Sequence, residues 1–305
     1  MPVKRGSQHR LGMILEVTYG TTPATPAMTE VPITRLRKNK SMGAIRSAQI
    51  RSHPFLDRLL PGFKTQDLEI GAELQHGNYD SLLQLLAGQA WATNVLKMGD
   101  GLLSATMESR MSGGTILYDQ FTGVFVNRAE FSISADQDAP VSVTFGLAAL
   151  TSELDATVAL ASTTPAAADK NPFTYLDGLT EIATVVRPVT SVTFRCERAV
   201  DPLRVIGSAV AREFVPGDFT LTGALTMPIE DALESARLEG FTNAPPHPRC
   251  SEPGGTVYLD FLIPQVKFLS MGRSIEGRGG LMQEVEFEAI YDTSSATVMT
   301  ITRTA

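Results

Sequence analysis

The sequence predicts a mainly β protein of two tandem antiparallel β-sandwich or barrel domains, each with one short α-helix. Two segments rich in Pro, Thr and Ala, at 19–27 and from Ser152 to about Arg187, divide the chain. Segments that alternate apolar and polar residues follow each of them. The elements then occur twice in the same order, which indicates a duplication. At 305 residues the chain is also long enough for two domains of about 100–200 residues.

The chain divides into four predicted parts: an N-terminal arm (1–32), a first domain (33–151), a linker (152–187) and a second domain (188–305). We expect both the arm and the linker to be extended, because proline biases its predecessor away from helix. The strands expected in the first domain are 33–40, 67–74, 122–133 and 141–150. Their expected counterparts are 191–197, 218–225, 257–268 and 281–291, offset by 151 residues at the second strand and 142 at the last.

One short helix is predicted at the corresponding place in each half. In 78–88, Asn78 is a suitable N-cap and Gly88 a suitable left-handed terminator. In 228–240, Pro228 suits a first helical turn and Gly240 a helix end.

Alternation along the strands predicts which sheet face is wet. Leu68, Ile70 and Ala72 alternate with acidic residues, and so do Val285 and Phe287. A sheet with one wet face is typical of antiparallel pairing.

Charge is segregated along the chain. Residues 1–66 carry eleven basic and three acidic side chains, a net charge of +8, whereas 67–305 carry fifteen basic and thirty acidic, a net charge of −15. The pattern favours complementary surfaces that meet other copies or partners. The insert from Ser41 to Gln66 and its counterpart from Ala199 to Gly217 combine basic and apolar residues and are expected to dock onto another surface. The alternative is that each loop folds back on its own domain.

No motif for catalysis, phosphate binding or metal binding is present, so we expect no enzyme activity, cofactor or metal. Four histidines and the two cysteines, Cys196 and Cys250, lack zinc-ligand spacing and are too few for a disulfide framework. A membrane span is excluded because no apolar run approaches about 20 residues. An acidic wet face also argues against simple nucleic-acid binding.

Four segments together resemble siphophage major tail tube proteins, of the kind with two domains. They are EVTYGTTPATP (16–26), GNYDSLL (77–83), VFVNRAEFS (124–132) and FEAIYD (287–292). The resemblance implies a structural virion protein with two tail-tube-like domains, whose strands line a hollow tube through which phage DNA leaves. It implies stacked rings of three two-domain chains with pseudo-sixfold symmetry, with a hexamer as the competitor.

The resemblance also implies partners and a location. The partners are further copies of the chain, tail terminator, distal tail and tape-measure proteins, and DNA that passes without specific binding. The location is the virion tail, after assembly in the host cytoplasm.

Under this resemblance the wet face becomes the lumen and the two inserts become contacts between rings. The candidate lumen residues are Glu69, Glu73, Glu284, Glu286, Glu288, Arg35, Arg37 and Arg195. The candidate ring-stacking residues are Arg46, Arg51, Phe55, Leu56, Arg58, Leu59, Leu60, Leu203, Arg204, Val205, Arg212 and Phe214. We expect the arm from Leu11 to Met28 to reach adjacent subunits or rings.

Two alternatives stay open. One is another β-rich ring of a tail or injection machine: a tail terminator, a distal tail protein or a secretion tube. The other is a β-sandwich hydrolase or carbohydrate-binding module. Such a protein needs a concave cluster of aromatic or carboxylate side chains, and Trp91 is the single tryptophan from which an aromatic cluster could be built.

Overall fold

The computed structural model describes residues 4–49, 52, 55, 56, 58–135, 139–274 and 280–304. Within them, two α-helices, α1 Asp80–Ala87 and α2 Leu233–Glu239, accompany a short 3-10 turn at Gly6–Gln8. The strands are β1 His9–Leu15, β2 Thr29–Glu30, β3 Arg35–Arg46, β4 Leu59–Glu73, β5 Val95–Lys97, β6 Ala105–Met111, β7 Leu117–Ser134, β8 Ser142–Ala148, β9 Thr151–Ala156, β10 Thr174–Ile182, β11 Val185–Val186, β12 Ser191–Leu203, β13 Glu213–Pro228, β14 Pro246–Ser251, β15 Tyr258–Leu262, β16 Val266–Ser274, β17 Met282–Ala289 and β18 Thr300–Arg303.

The larger sheet has twelve strands, and eight of them form a continuous antiparallel path that we call the eight-strand row; β6, β1, β2 and β9 extend the sheet from β7. The order of the row is β3-β4-β8-β7-β12-β13-β17-β16. The first four strands come from the first half of the chain and the last four from the second half. Each half contributes its strands in the same order, and β7 pairs with β12 where the halves meet.

A second, six-stranded sheet has the order β11-β10-β14-β15-β18-β5 and combines strands from both halves. Its Phe261 contacts Phe131 and Phe194 of the eight-strand row, each at 5.1 Å between ring centroids. All three rings are buried, so the main core lies between the two sheets. The mainly β, antiparallel fold class predicted from the sequence is therefore confirmed.

Helix α1 ends where it was predicted to end, whereas α2 is shorter than expected. The predicted N-cap of α1 is wrong: Tyr79 precedes the helix, and the Asn78 amide instead donates to Gln75 and to the carbonyl of Ala168. Gly88 ends α1 with φ of 67° and ψ of 15°, the left-handed terminator that the sequence indicated. Pro228, in contrast, is the last residue of β13, where it pairs with Met282, and the helix begins only at Leu233. Pairing with β17 therefore places Pro228 in a strand, and 229–232 connect that strand to the helix.

The strand expected at 257–268 is two strands, β15 and β16, in different sheets. Pro264 lies between them, and proline cannot donate the backbone hydrogen bond that a continuous strand needs.

The arm and the linker both make contacts within their own chain. Strand β1 pairs with β6 over seven residues, and Leu11 and Met28 are buried. Strands β9, β10 and β11 lie within or overlap 152–187, the predicted linker. Contact of the arm with an adjacent subunit or ring stays a prediction. The four-part division itself stays a prediction.

Candidate functional site

All eight candidate lumen residues lie on one face of the eight-strand row, which we call the wet face. Strand register shows this, because directly opposite residues of an antiparallel pair point to the same side. Arg35 is directly opposite Gly71 on β4. Glu69 and Glu73 are each two residues from Gly71, so they point to the same face of the sheet. Arg195 belongs to the same face as the glutamates of β17, through Thr222 and Glu288. The opposite face carries the buried core.

Most arginines of the wet face are paired with carboxylates. Glu69 accepts a hydrogen bond from Arg35 at 2.5 Å and one from Arg128 at 3.4 Å, and it lies 4.0 Å from Arg37. Arg195 donates to Glu197 at 2.6 Å. These cations are thereby partly neutralised, although such exposed pairs contribute only about 0–1 kcal/mol each to folding stability.

Five charged members of the wet face were not among the residues predicted from the sequence: Asp67, Arg128, Glu130, Glu197 and Lys267. Arg128 and Glu130 lie on β7 at the same two-residue spacing that identified the other candidates, so the alternation from Val124 to Ile133 contained the signal. Glu197 follows Arg195 by two residues on β12.

The glutamates of β17 form the most acidic part of the wet face. Glu284, Glu286 and Glu288 are all exposed, and Glu286 accepts a hydrogen bond from the hydroxyl of Ser270 at 2.6 Å. Their cross-strand neighbours on β13 are Thr226, Ala224 and Thr222, which carry no charge.

The eight-strand row has two unpaired edges. Strand β3 pairs only with β4, and β16 pairs only with β17, among the residues that the structure describes. Both edges are largely exposed: Arg37, Asn39 and Ser41 on β3, and Ser270 and Gly272 on β16. An edge strand presents backbone groups that can pair with another chain.

Two long hairpins, β3–β4 and β12–β13, project from the same end of the row. That end is shared because the intervening strands β4, β8 and β7 alternate in direction. Phe55 is 78% exposed and Ile206 is fully exposed. The other exposed apolar side chains here are Met42, Ile45, Leu56, Leu59, Leu60, Leu203, Val205 and Val215. Arg46, Arg58 and Arg212 are exposed beside them, and Arg51 lies outside the described residues.

The two hairpins also contact each other and the body of the protein. The guanidinium of Arg204 lies 4.3 Å from the ring of Phe63, and the backbone N–H of Lys64 donates to the carbonyl of Ala209 at 2.8 Å. Phe214 packs on Phe125 at 4.8 Å. Phe214 and Arg204 therefore brace the hairpins, while the apolar side chains at the tips are exposed to solvent.

The opposite end of the row is acidic after β13. Glu230 and Asp231 are about half exposed, and both contact Arg187, at 3.5 and 3.1 Å. A backbone hydrogen bond from Leu233, together with Arg187, lowers the pKa of Asp231. The hairpin end therefore exposes apolar and basic side chains, whereas this end carries carboxylates that Arg187 partly neutralises.

Nothing in the described part of the chain resembles a catalytic or metal centre. It contains no group of three His, Cys, Asp or Glu side chains placed to hold a metal ion. Burial raises the pKa of the Cys196 thiol to about 12 and also raises that of Cys250, so neither is a nucleophile at neutral pH. Neither helix is long and apolar enough to cross a membrane.

A cleft of about 540 Å³ is lined in part by Arg198, Phe219 and Tyr291. Arg198 uses its guanidinium to hold the carbonyls of Gly99 and Gly101, each at 2.5 Å. Arg198 therefore anchors the loop that contains Gly99 and Gly101 to β12, which is a structural role.

Comparison with known proteins agrees with this geometry. No curated protein matches the chain. The profile of the family described as phage tail tube protein matches residues 6–289, nearly the whole chain. The protein with the eight-strand row, the wet face and the two projecting hairpins belongs to the phage tail tube protein family.

Proposed function

We propose that this structural tail protein assembles head to tail into a closed ring, that the rings stack into a hollow tube, and that phage DNA passes through the bore. The proposal rests mainly on the two free edges of the eight-strand row. Strand β3 occupies the same place in the first half as β12 does in the second, and β16 the same place as β7. Since β7 and β12 pair inside the chain, β16 of one copy and β3 of the next are suited to pair in the same way.

Such an edge-to-edge contact uses two different surfaces of each copy, so repetition gives a ring if the rotation closes. Closure pairs every edge, which removes the exposed strands that otherwise favour aggregation. The repeat inside the chain makes each copy two units of the ring, so three copies give six units and pseudo-sixfold symmetry.

Strand spacing favours three copies. Three eight-strand rows contribute twenty-four strands, and at about 4.8 Å per strand their backbones enclose a circle about 37 Å across, wider if the strands tilt. Six copies double that width. A narrow bore keeps the wet face close to the DNA, so a trimer is the proposed ring and a hexamer the competitor.

The charges suit a bore that DNA passes without binding. Unpaired cations would hold phosphates, because phosphate contacts need Lys and Arg. Arg35, Arg128 and Arg195 are instead engaged by Glu69 or Glu197, while the three glutamates of β17 face solvent. All eight candidate lumen residues keep that assignment as part of the proposal.

Stacking uses the two ends of the ring. The exposed apolar and basic hairpin tips of one ring are suited to the acidic end of the next, where Glu230 and Asp231 lie. Different surfaces meet at each step, so rings can be added without limit. The tube's ends and length require other proteins; we propose terminator, distal tail and tape-measure proteins as partners, and assembly in the host cytoplasm before incorporation into the virion tail.

Electron microscopy of the purified full chain tests the proposal. We expect hollow tubes of uniform width whose end-on averages show three copies per ring. Single rings that never stack favour a terminator or distal tail protein, and six copies per ring favour the hexamer. A protein that stays monomeric at every concentration and salt overturns the proposal.

A further inference from the structure

We infer that Ser270–Ser274 of β16 pairs with Arg37–Ser41 of β3 in the neighbouring subunit, with Gly272 opposite Asn39 and Arg273 opposite Lys38. The inference rests on the proposed ring and specifies its subunit seam. Residue equivalences between the halves carry it, since they transfer the observed β7–β12 register to the free edges.

Two bulges establish the equivalences. In the β3–β4 ladder the register shifts between Met42 and Ala44, opposite Pro61-Gly62. The β12–β13 ladder shifts between Arg198 and Val200, opposite Pro216-Gly217. Matching them relates β3 to β12 by 156 residues (Met42 to Arg198) and β4 to β13 by 155 residues (Pro61 to Pro216). The shared Pro-Gly supports the match; the offset of 151 expected from the sequence is therefore wrong here.

A second pair of bulges relates the remaining strands. The β7–β8 ladder shifts between Val126 and Arg128, and the β16–β17 ladder shifts between Phe268 and Ser270. Matching these relates β7 to β16 by 142 residues (Val126 to Phe268) and β8 to β17 by 140 (Leu147 to Phe287).

A third ladder checks both matches independently. The β4–β8 ladder runs from Asp67 opposite Ala148 to Glu73 opposite Ser142. Adding 155 to the residue numbers of β4 and 140 to those of β8 predicts that Thr222 lies opposite Glu288 and that Pro228 lies opposite Met282. These are the two terminal pairs of the observed β13–β17 ladder. The equivalences therefore hold across the whole row.

Applied to the junction inside the chain, the same offsets give the seam. Glu130 opposite Arg195 becomes Gly272 opposite Asn39, and Phe131 opposite Phe194 becomes Arg273 opposite Lys38. Arg128 opposite Glu197 becomes Ser270 opposite Ser41.

The inferred seam differs in chemistry from the internal junction. Inside the chain, Phe131 and Phe194 are buried and stacked at 4.8 Å. At the seam the corresponding side chains are Arg273 and Lys38. Charged side chains on an unpaired edge strand oppose aggregation through that edge. Lys38 is already held by the carboxylate of Asp119 and by the Ser109 hydroxyl at 3.0 Å. Asp119, which is 6% exposed, thus already neutralises the lysine that Arg273 faces when the seam closes.

Disulfide crosslinking tests the register in the full chain. Asn39→Cys with Gly272→Cys forms the in-register pair, and a side chain at 272 meets no atom within 4 Å in the monomer. Glu130→Cys with Arg195→Cys, the equivalent pair inside the chain, is the positive control. Arg37→Cys with Gly272→Cys is the slipped control, because diagonal Cα atoms lie about 7–8 Å apart, beyond the usual disulfide range. The native cysteines are buried and protonated, so they stay out of the reaction.

We expect ring preparations of the in-register variant to give covalent trimers on non-reducing gels, with at least about tenfold more product than the slipped variant. Microscopy of the same samples records whether rings formed. Rings that crosslink only in the slipped pair, or in neither, overturn the inferred register and leave the proposed ring intact. Failure of the parent protein to form rings overturns both.

Discussion

At the scale of single residues, aromatic packing joins the two halves of the chain. Phe131 of the first half stacks on Phe194 of the second, and Phe261 of the six-stranded sheet covers both. All three are fully or almost fully buried. This cluster gives the two halves of the chain a shared core.

We expect Phe131→Ala to lower the free energy of unfolding by about 3–5 kcal/mol, because it removes a large buried ring and leaves a cavity. Urea denaturation followed by fluorescence and circular dichroism measures the loss. Val158→Ala, at a side chain that is 74% exposed, is the matched control and should change stability by less than about 0.5 kcal/mol. If Phe131→Ala lowers the free energy of unfolding by less than about 0.5 kcal/mol, the aromatic cluster does not stabilise the fold as expected.

Two histidines are expected to give stability opposite pH dependences. Nε2 of His247 lies 2.9 Å from Asp260, and that hydrogen bond raises the pKa of His247 above 6.5. Its contribution is therefore fully present below pH about 6.5 and is lost as pH rises through the raised pKa. Burial lowers the pKa of His9, so His9 instead costs stability as pH falls below about 6.5.

We expect His247→Gln to flatten the fall in unfolding free energy above pH about 6.5, and His9→Gln to reduce the loss on acidification. Urea titrations of the parent and both variants between pH about 5 and 8.5 measure the slopes. An unchanged slope in the His247 variant contradicts a stabilising charged pair with Asp260.

At the scale of elements, the hairpins carry the apolar surface that the eight-strand row does not cover. Their bases are braced by Arg204 on Phe63 and by Phe214 on Phe125. Their tips, including Ile206, project into solvent. Bracing holds the tips in place, so that contact with another ring costs less conformational entropy.

We expect Ile206→Asp to leave ring formation intact and to raise the protein concentration needed for tubes about tenfold, the change that about 1.4 kcal/mol produces. Sedimentation and negative-stain microscopy measure free rings against tubes. Val158→Asp, an apolar-to-acid change at a side chain outside the hairpins that is 74% exposed, is the matched control. Tubes that form at the parent's concentration exclude a stacking role for this tip.

At the scale of the whole molecule, the wet face collects charges from strands far apart in sequence. Paired arginines lie on β3, β7 and β12, and exposed glutamates lie on β17, where Glu288 is directly opposite Lys267 of β16. In a closed ring this alternation repeats around the bore, so DNA meets acidic and neutralised sectors in turn.

We expect the combined change of Glu284, Glu286 and Glu288 to Lys to preserve ring assembly and to slow DNA release, because nine added lysines per trimer contact phosphates. The rate of DNA release from particles at low and high salt measures this, and high salt should restore the rate. The matched Gln variant removes the charge without adding lysine and should release DNA at nearly the parent rate. Loss of rings with normal release in the Lys variant contradicts the placement of these residues in the bore.

Local sequence determined the features that depend on neighbours along the chain. The spacing of Leu82, Leu83 and Leu86 with Gly88 was sufficient for α1, and two-residue alternation was sufficient to assign Glu69 and Glu284 to the same type of face. The repeated order of strands was also visible, although its offset at the second strand was not, because the Pro-Gly bulge becomes informative only once the ladders are paired.

The tertiary structure alone decided the features that depend on pairing between distant strands. It joined β7 to β12, drew β1 onto β6 and placed Pro228 in a strand. Helix signals and alternation act over a few residues, whereas sheet neighbours and free edges are chosen by the summed hydrogen bonding and burial of the whole chain. Therefore the two edges on which the proposed assembly depends were absent from the sequence pattern and emerged only from the fold.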